Sequence, residues 1–193
     1  MQLILASASS SRKAMLEAAD VQFVAKASRI DESVFKERLS DQASLATELA
    51  KAKALDVSKT LPDAWVIGSD SVVSVDRRLF DKPRSPEEAA EHLRFFSGRT
   101  MELTSAVALA RAGQVDWVHA ETARLHVRPL SEAFITAYLD KEWPEVSYCV
   151  GVFRIEARGV QIFDRIDGDH FTILGMPLIP LLGALRQRRL LPA

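Results

Sequence analysis

The sequence predicts an α/β fold built on a mixed sheet, and three observations carry that reading. A short apolar run, a hydroxyl-rich turn and a helical pattern follow one another at the start of the chain. Residues 64–75 are apolar on both faces except at their middle, as expected of a central strand. Residues 100–111 and 115–127 alternate as two long strands joined at Ala112-Gly113-Gln114, a hairpin foreign to a purely parallel, doubly wound sheet.

Taken in order, residues 2–7 form the first buried strand, and Ser7-Ala8-Ser9-Ser10-Ser11 the turn before a helix over 12–19. A strand over 23–25 leads to the acidic pair Asp31-Glu32, and a helix over 42–59 follows with Leu45, Leu49 and Ala52 on one face. The central strand ends at the turn Asp76-Arg77-Arg78. Ser85-Pro86-Glu87-Glu88 opens the next helix with a capping serine, proline at the first helical position and an acid at the third, and Ser97-Gly98 closes it. After the hairpin, a helix starts at Ser131 and stops before Pro144. Strands are expected over 148–153 and 159–163, then a glycine-punctuated loop over 168–175, and a last helix entered through Pro177 with Leu178, Leu181, Leu182 and Leu185.

At 193 residues, with 48% hydrophobic and 26% charged side chains, the chain is sized for one folded domain over residues 1–193. The apolar run over residues 3–6 is too short for a secretory signal, and no segment is long and apolar enough to span a bilayer, so a cytoplasmic protein without a membrane partner is expected. The single cysteine, Cys149, fits a reducing compartment and excludes a cysteine metal cage. A net charge of -1 offers no global attraction for nucleic acid. An anionic ligand therefore needs a local cluster of cations.

Asp70 is the most informative position. A carboxylate inside Val66-Ile67-Gly68-Ser69-Asp70-Ser71-Val72-Val73 is buried and costly unless paired, hydrogen-bonded or metal-bound. It is either a structural aspartate bonded to a neighbouring turn, or a metal ligand or general base. Arg12 and Lys13 open a helix after three serines, where backbone N–H groups and the helix dipole favour an anion; an ordinary serine N-cap with two solvated cations reads equally well. Lys53 lies ~40° round its helix from Leu49, at the rim of the apolar stripe, where it either reaches into a cleft or snorkels to water. Lys82, in Asp81-Lys82-Pro83, is a stiffened loop cation or a plain exposed one. Asp31-Glu32 is a second carboxylate pair or a dipole-complementing helix start. Together these residues supply carboxylates for a hard divalent cation and cations for a polyphosphate, with no zinc-spaced pair among His92, His119, His126 and His170. That is the inventory for hydrolysing a phosphoanhydride. The absence of a Walker A loop and a dinucleotide fingerprint disfavours a P-loop kinase or a Rossmann dehydrogenase.

These motifs resemble the Maf family of nucleotide pyrophosphatases over nearly the whole chain. Leu5-Ala6-Ser7-Ala8-Ser9-Ser10-Ser11-Arg12-Lys13 is similar to the family's N-terminal loop, with serine at position 10 where the family usually has proline. Asp31-Glu32 resembles its acidic pair, Ala52-Lys53-Ala54 its helix lysine, Gly68-Ser69-Asp70-Ser71-Val72-Val73 its G-x-D-x-V-V strand, Asp81-Lys82-Pro83 its K-P turn, and Leu174-Gly175-Met176-Pro177-Leu178 its C-terminal segment. The resemblance implies an inosine-triphosphatase-like fold with two lobes around a deep cleft, a homodimer, a magnesium or manganese cofactor, and a nucleoside triphosphate cut to monophosphate and pyrophosphate. It implies Asp70 as proton acceptor, Glu32 and Asp70 beside the metal, and Lys53 and Lys82 as catalytic cations. Ser9, Arg12 and Lys13 become substrate-binding residues. The family's specificity positions fall at Ser11, Ser71 and Glu156. In the branch preferring dTTP and UTP these are arginine, threonine and glutamine, and in the 7-methyl-GTP branch tryptophan, glutamine and glutamate. The stretch from Val150 to Glu156 is closer to the second branch, but the serine at position 11 lacks the stacking surface a cationic base favours. Two alternatives stand beside this reading: a phosphatase releasing orthophosphate stepwise, and a regulator of cell division that binds nucleotide without turnover.

Overall fold

The computed structural model describes residues 2–39 and 41–192. The strands are β1 (Leu3–Leu5), β2 (Val24–Ala25), β3 (Trp65–Val75), β4 (Arg78–Phe80), β5 (Thr100–Arg111), β6 (Gln114–Val127) and β7 (Phe163–Asp167). The helices are α1 (Ser10–Ala18), α2 (Ser33–Arg38), α3 (Gln42–Ser58), α4 (Pro86–Phe96), α5 (Glu132–Glu142), α6 (His170–Leu174) and α7 (Leu178–Gln187). One sheet runs in the order β2-β1-β3-β5-β6-β7, with β4 paired to β3. The sheet is mixed, as expected. β1 is parallel to β2 and to β3, whereas β4 on β3 and β7 on β6 are antiparallel. The β5–β6 hairpin turns at Ala112 and Gly113, both at positive φ, the twist that matches a right-handed pair of strands.

The chain forms two compact units. The first comprises residues up to Ser71, Thr104–Glu121 and the chain from Asp169 on; the second comprises Val72–Leu103 and Thr122–Gly168. In the first unit, Leu3 and Leu5 of β1, Leu16 of α1, Trp65 and Ile67 of β3, Val107 and Leu109 of β5 and Leu181 and Leu185 of α7 bury one core. Each fully buried leucine or isoleucine there contributes ~1.5–3 kcal/mol. On α3 the buried stripe begins at Leu45 and Leu49 but continues through Ala50, Ala54 and Val57 rather than Ala52, because those alanines face Gly68 of β3. In the second unit α4 packs on α5, and Phe80, His92 and Phe96 form an aromatic cluster. The cap expected for α4 is present: Ser85 accepts from the Glu88 amide, with proline in the first turn.

Three sequence expectations fail. Residues 148–153 are not a strand. A 3-10 turn, Glu145–Tyr148, follows Pro144, and Val152 takes a left-handed φ while its carbonyl accepts from Tyr138 Oη at 3.0 Å. Val152 and Phe153 are buried by packing and not by strand alternation, and Tyr148 is exposed. Residues 159–163 are mostly a second 3-10 turn, Arg158–Ile162, in which Gly159 lies against the Arg154 backbone; the strand begins only at Phe163. The loop expected over 168–175 contains α6, started by Asp169, whose carboxylate accepts from the Phe171 and Thr172 amides, and ended by Gly175 at φ 113°. Sequence reading also missed α2, which has no side-chain cap, and the short strand β4.

Candidate active site

Asp70 sits on β3 at 8% exposure, in the first unit. Its charge is met by Lys53 of α3, whose Nζ donates to Asp70 Oδ1 and also pairs with Glu32 Oε1 at 2.7 Å. Lys53 therefore reaches inward to the two carboxylates and does not snorkel to water. It can do so because Gly68, two residues before Asp70, lets α3 lie directly on β3: a Cβ there would fall on the Ala50 carbonyl oxygen and 2.5 Å from the Ala54 nitrogen. Glu32 is brought in by the start of α2, which packs on α3, and the preceding segment is tied to α3 by the Arg29 amide bonding to Asp56 at 2.9 Å.

Arg12 comes from the first turn of α1, where the Ser9 hydroxyl caps the Arg12 amide at 3.4 Å. It is 9% exposed, and its guanidinium is held from three directions. Nε donates to the Gly175 carbonyl at 2.9 Å, Nη1 to Ser7 Oγ at 3.3 Å and Nη2 to Ser71 Oγ at 3.1 Å. Burial lowers its pKa, and the fields of Asp70 and Glu32 act in the opposite direction, favouring the charged form. Two carboxylates and two cations thus share one region of the first unit, with a helix N-terminus beside them. Cations beside a helix N-terminus are the chemistry that can hold phosphate oxygens, and a carboxylate among them is a group able to accept a water proton.

The remaining expected residues are placed differently. Lys13, next to Arg12, borders a shallow surface depression with Glu17, Val21 and Phe23, because consecutive helical residues point ~100° apart. Asp31 does not join Glu32 at Lys53; its Oδ1 accepts from the Ser33 amide at 3.0 Å and hydroxyl at 2.7 Å on the exposed start of α2. Ser11 is half-buried on α1. Ser71 spends its hydroxyl on protein partners, Arg12, Ser105 Oγ at 2.8 Å and the Gly175 carbonyl at 3.1 Å. Lys82 and Glu156 belong to the second unit, where both are exposed and both act electrostatically on Cys149. Burial first, then Glu156, pushes the Cys149 thiol up to about 11, so it is no nucleophile near neutral pH.

Sequence reasoning missed Ser69, Ser105 and Thr172. Ser69 Oγ donates to the Gly175 carbonyl at 3.1 Å and Ser105 Oγ to the Thr172 carbonyl at 2.7 Å. The signal for Ser105 was available. It is a polar residue in the buried run 103–110, the same anomaly that marks Asp70.

The donor set suits a magnesium-like ion. Lys53 Nζ already marks a point where one cation contacts both Glu32 and Asp70. Among the described residues no third His, Cys, Asp or Glu converges there. A pair of carboxylates completed by water and substrate phosphates is the usual habit of magnesium.

Residues 2–188 match the family described as Maf-like protein. The 7-methyl-GTP pyrophosphatase of Rhizobium meliloti is 47% identical over 189 residues, covering 96% of this chain and 95% of that one. The nucleoside triphosphate pyrophosphatase of Sphingopyxis alaskensis is 44% identical over 197 aligned positions, covering 100% of both. The Ham1 protein of Staphylococcus aureus shares the fold, with a TM-score of 0.52 over 98% of this chain and 100% of its own at 15% identity. With a match over nearly its whole length and relatives this similar, the chain belongs to the Maf-like protein family.

Proposed function

We propose that this protein is a nucleoside triphosphate pyrophosphatase that hydrolyses the bond between the α and β phosphates, housekeeping the nucleotide pool. The observation that carries the proposal is the buried Asp70 carboxylate, held by Lys53 together with Glu32 and flanked by the buried Arg12. The names of the two relatives above support the same reaction class. A water oxygen attacks the α phosphorus, its proton passes to Asp70, and the bond from the α phosphorus to the bridging oxygen breaks. Monophosphate and pyrophosphate leave, and Asp70 returns the proton to solvent. Arg12 and Lys53 bind phosphate oxygens, Ser9 shapes the α1 N-terminus that receives them, Lys13 is a further substrate-binding cation, and Lys82 is proposed as a catalytic cation. A divalent ion, magnesium or manganese, would be held by Glu32 and Asp70 and would supply charge neutralisation for the phosphates. Ser11, Ser71 and Glu156 are proposed to bear on which base is accepted.

The homodimer belongs to this proposal and is checked by light scattering on the eluted protein; so does action in the cytoplasm, where the nucleotide pool lies. No helix among the described residues is long and apolar enough to cross a membrane. The test of the reaction is product analysis with magnesium across the common nucleoside triphosphates, 7-methyl-GTP and 5-methyl-UTP. Monophosphate with pyrophosphate supports the proposal, stepwise orthophosphate points to a phosphatase, and binding without turnover to a regulator.

A further inference from the structure

The contacts around Arg12 have a direction that follows from counting protons. The Gly175 carbonyl oxygen has two lone pairs, and Arg12 Nε at 2.9 Å and Ser69 Oγ at 3.1 Å fill them. Ser105 Oγ lies 2.7 Å from the Thr172 carbonyl, which can only accept, so the Ser105 proton goes there. The Ser71 hydroxyl has two acceptors in reach, the Gly175 carbonyl at 3.1 Å and Ser105 Oγ at 2.8 Å; with the Gly175 lone pairs taken, its proton goes to the nearer Ser105, and a Ser71 lone pair receives Arg12 Nη2 at 3.1 Å. The result is a one-way chain from Arg12 through Ser71 and Ser105 to the Thr172 carbonyl. Beyond it, the Thr172 hydroxyl donates to Glu121 Oε2 at 2.7 Å, and Glu121 Oε1 pairs with His119 Nε2 at 2.9 Å. Thr172 is fully buried and is gripped at its carbonyl by β5 and at its hydroxyl by β6. Three residues on, Gly175 ends α6 and offers Arg12 its carbonyl. Every member of the chain lies in the first unit.

We propose that Ser105 and Thr172 are positioning residues for Arg12: they fix the Ser71 acceptor and the Gly175 carbonyl, so that the N–H groups of the guanidinium not engaged by Gly175, Ser7 and Ser71 face a substrate phosphate. This rests on the pyrophosphatase reading above. A guanidinium has five N–H donors in one plane. Three are aimed at protein acceptors on different elements, which sets the orientation of the plane and of the other two. A satisfied serine in a buried strand would serve stability alone. A serine in series with Arg12 also sets how tightly phosphate is held, whatever the base.

The experiment is a double-mutant cycle. Ser105→Ala, Thr172→Val and Thr172→Ser are made in the wild type and in an Arg12→Lys background. Binding of the α,β-methylene analogue of the best wild-type substrate is measured by calorimetry, with kcat, KM and Tm alongside. Ser105→Ala and Thr172→Val are expected to weaken binding about tenfold through KM, by the same factor for every base, and to lose less than about twofold in the Arg12→Lys background. Thr172→Ser, which keeps the hydroxyl, restores binding. Unchanged binding in both Ser105→Ala and Thr172→Val, or an equal loss in the Arg12→Lys background, overturns the proposal. Thr172→Val carries the test alone if Ser105→Ala does not fold. Failure of the wild type to release pyrophosphate would overturn the function itself and is read from a separate assay.

Discussion

Replacing Gly68 by alanine tests whether the contact of α3 with β3 sets the site. The added Cβ would overlap the Ala50 carbonyl oxygen and sit 2.5 Å from the Ala54 nitrogen and 2.8 Å from Ala54 Cβ, where ordinary contact begins at 3.4 Å. Two of those neighbours are helix backbone, so no side chain can swing aside, and α3 must move by about 0.9 Å or more. Overpacking of this kind costs ~1–3 kcal/mol. In a chain of this length each kcal/mol is worth ~2–4 °C, so Tm is expected to fall by about 2–12 °C. The helix carries Lys53 and the strand carries Asp70, and a misplacement near 1 Å at reacting groups lowers turnover ~10²-fold. Gly183, within α7, is the control, because nothing lies within 4 Å of its added Cβ. Gly183→Ala should raise stability by up to ~1 kcal/mol through helix propensity. Thermal melts and pyrophosphate release are measured on both variants. A Gly68→Ala protein with wild-type Tm and turnover would refute the reasoning.

Three further outcomes are expected. Lys53→Met leaves two carboxylates facing each other without their shared cation, so kcat should fall ~10²-fold or more. Steady-state kinetics check this, and a Lys53→Met protein with wild-type kcat counts against the pairing. His92 is buried against Phe80 and Phe96, and burial lowers its pKa; Glu88, Glu91 and Asp81 act upward and Arg78 downward. Below ~6.5 the unfolded chain therefore takes up a proton that the folded one resists. The stability that His92 supplies is present above ~6.5 and lost as pH falls through it, and His92→Leu should flatten the dependence of Tm on pH between ~7 and ~5. Finally, a chelator should abolish turnover, and magnesium or manganese should restore it, while melting of the nucleotide-free protein stays unchanged.

Where the sequence carried the fold, it did so through strong local signals. Ser85-Pro86 marked α4, alternation with Ala112-Gly113 marked the β5–β6 hairpin, and the double-sided apolar run marked β3. It failed where tertiary packing overrode pattern. Val152 and Phe153 are buried without being in a strand, and Gly159 is needed for close backbone contact and not for a turn between strands. The start of α6 was legible in Asp169, an N-cap that the surrounding glycines obscured. At the site, Asp70 was found because a charge in an apolar strand needs an explanation, whereas helical geometry left Lys53 open between a cleft and water, and only the family resemblance gave it a role beside Asp70. A buried hydroxyl costs less than a buried charge, so the weaker signal of Ser105 was passed over, and Ser69 and Thr172 stood out only once their partners were known. Neither periodicity nor charge could separate Arg12 from Lys13; only the Gly175 carbonyl, far away in the chain, does so.

The central claim is that Asp70 takes the proton of a water attacking the α phosphorus. The most direct measurement resolves monophosphate, diphosphate, pyrophosphate and orthophosphate released with magnesium by the wild type and by Asp70→Asn, which keeps the shape and removes the charge. The account expects monophosphate and pyrophosphate in equal amounts from the wild type and a loss of ~10²–10⁴-fold in Asp70→Asn with nucleotide still bound. Orthophosphate as the first product, or an Asp70→Asn protein that turns over like the wild type, would contradict it.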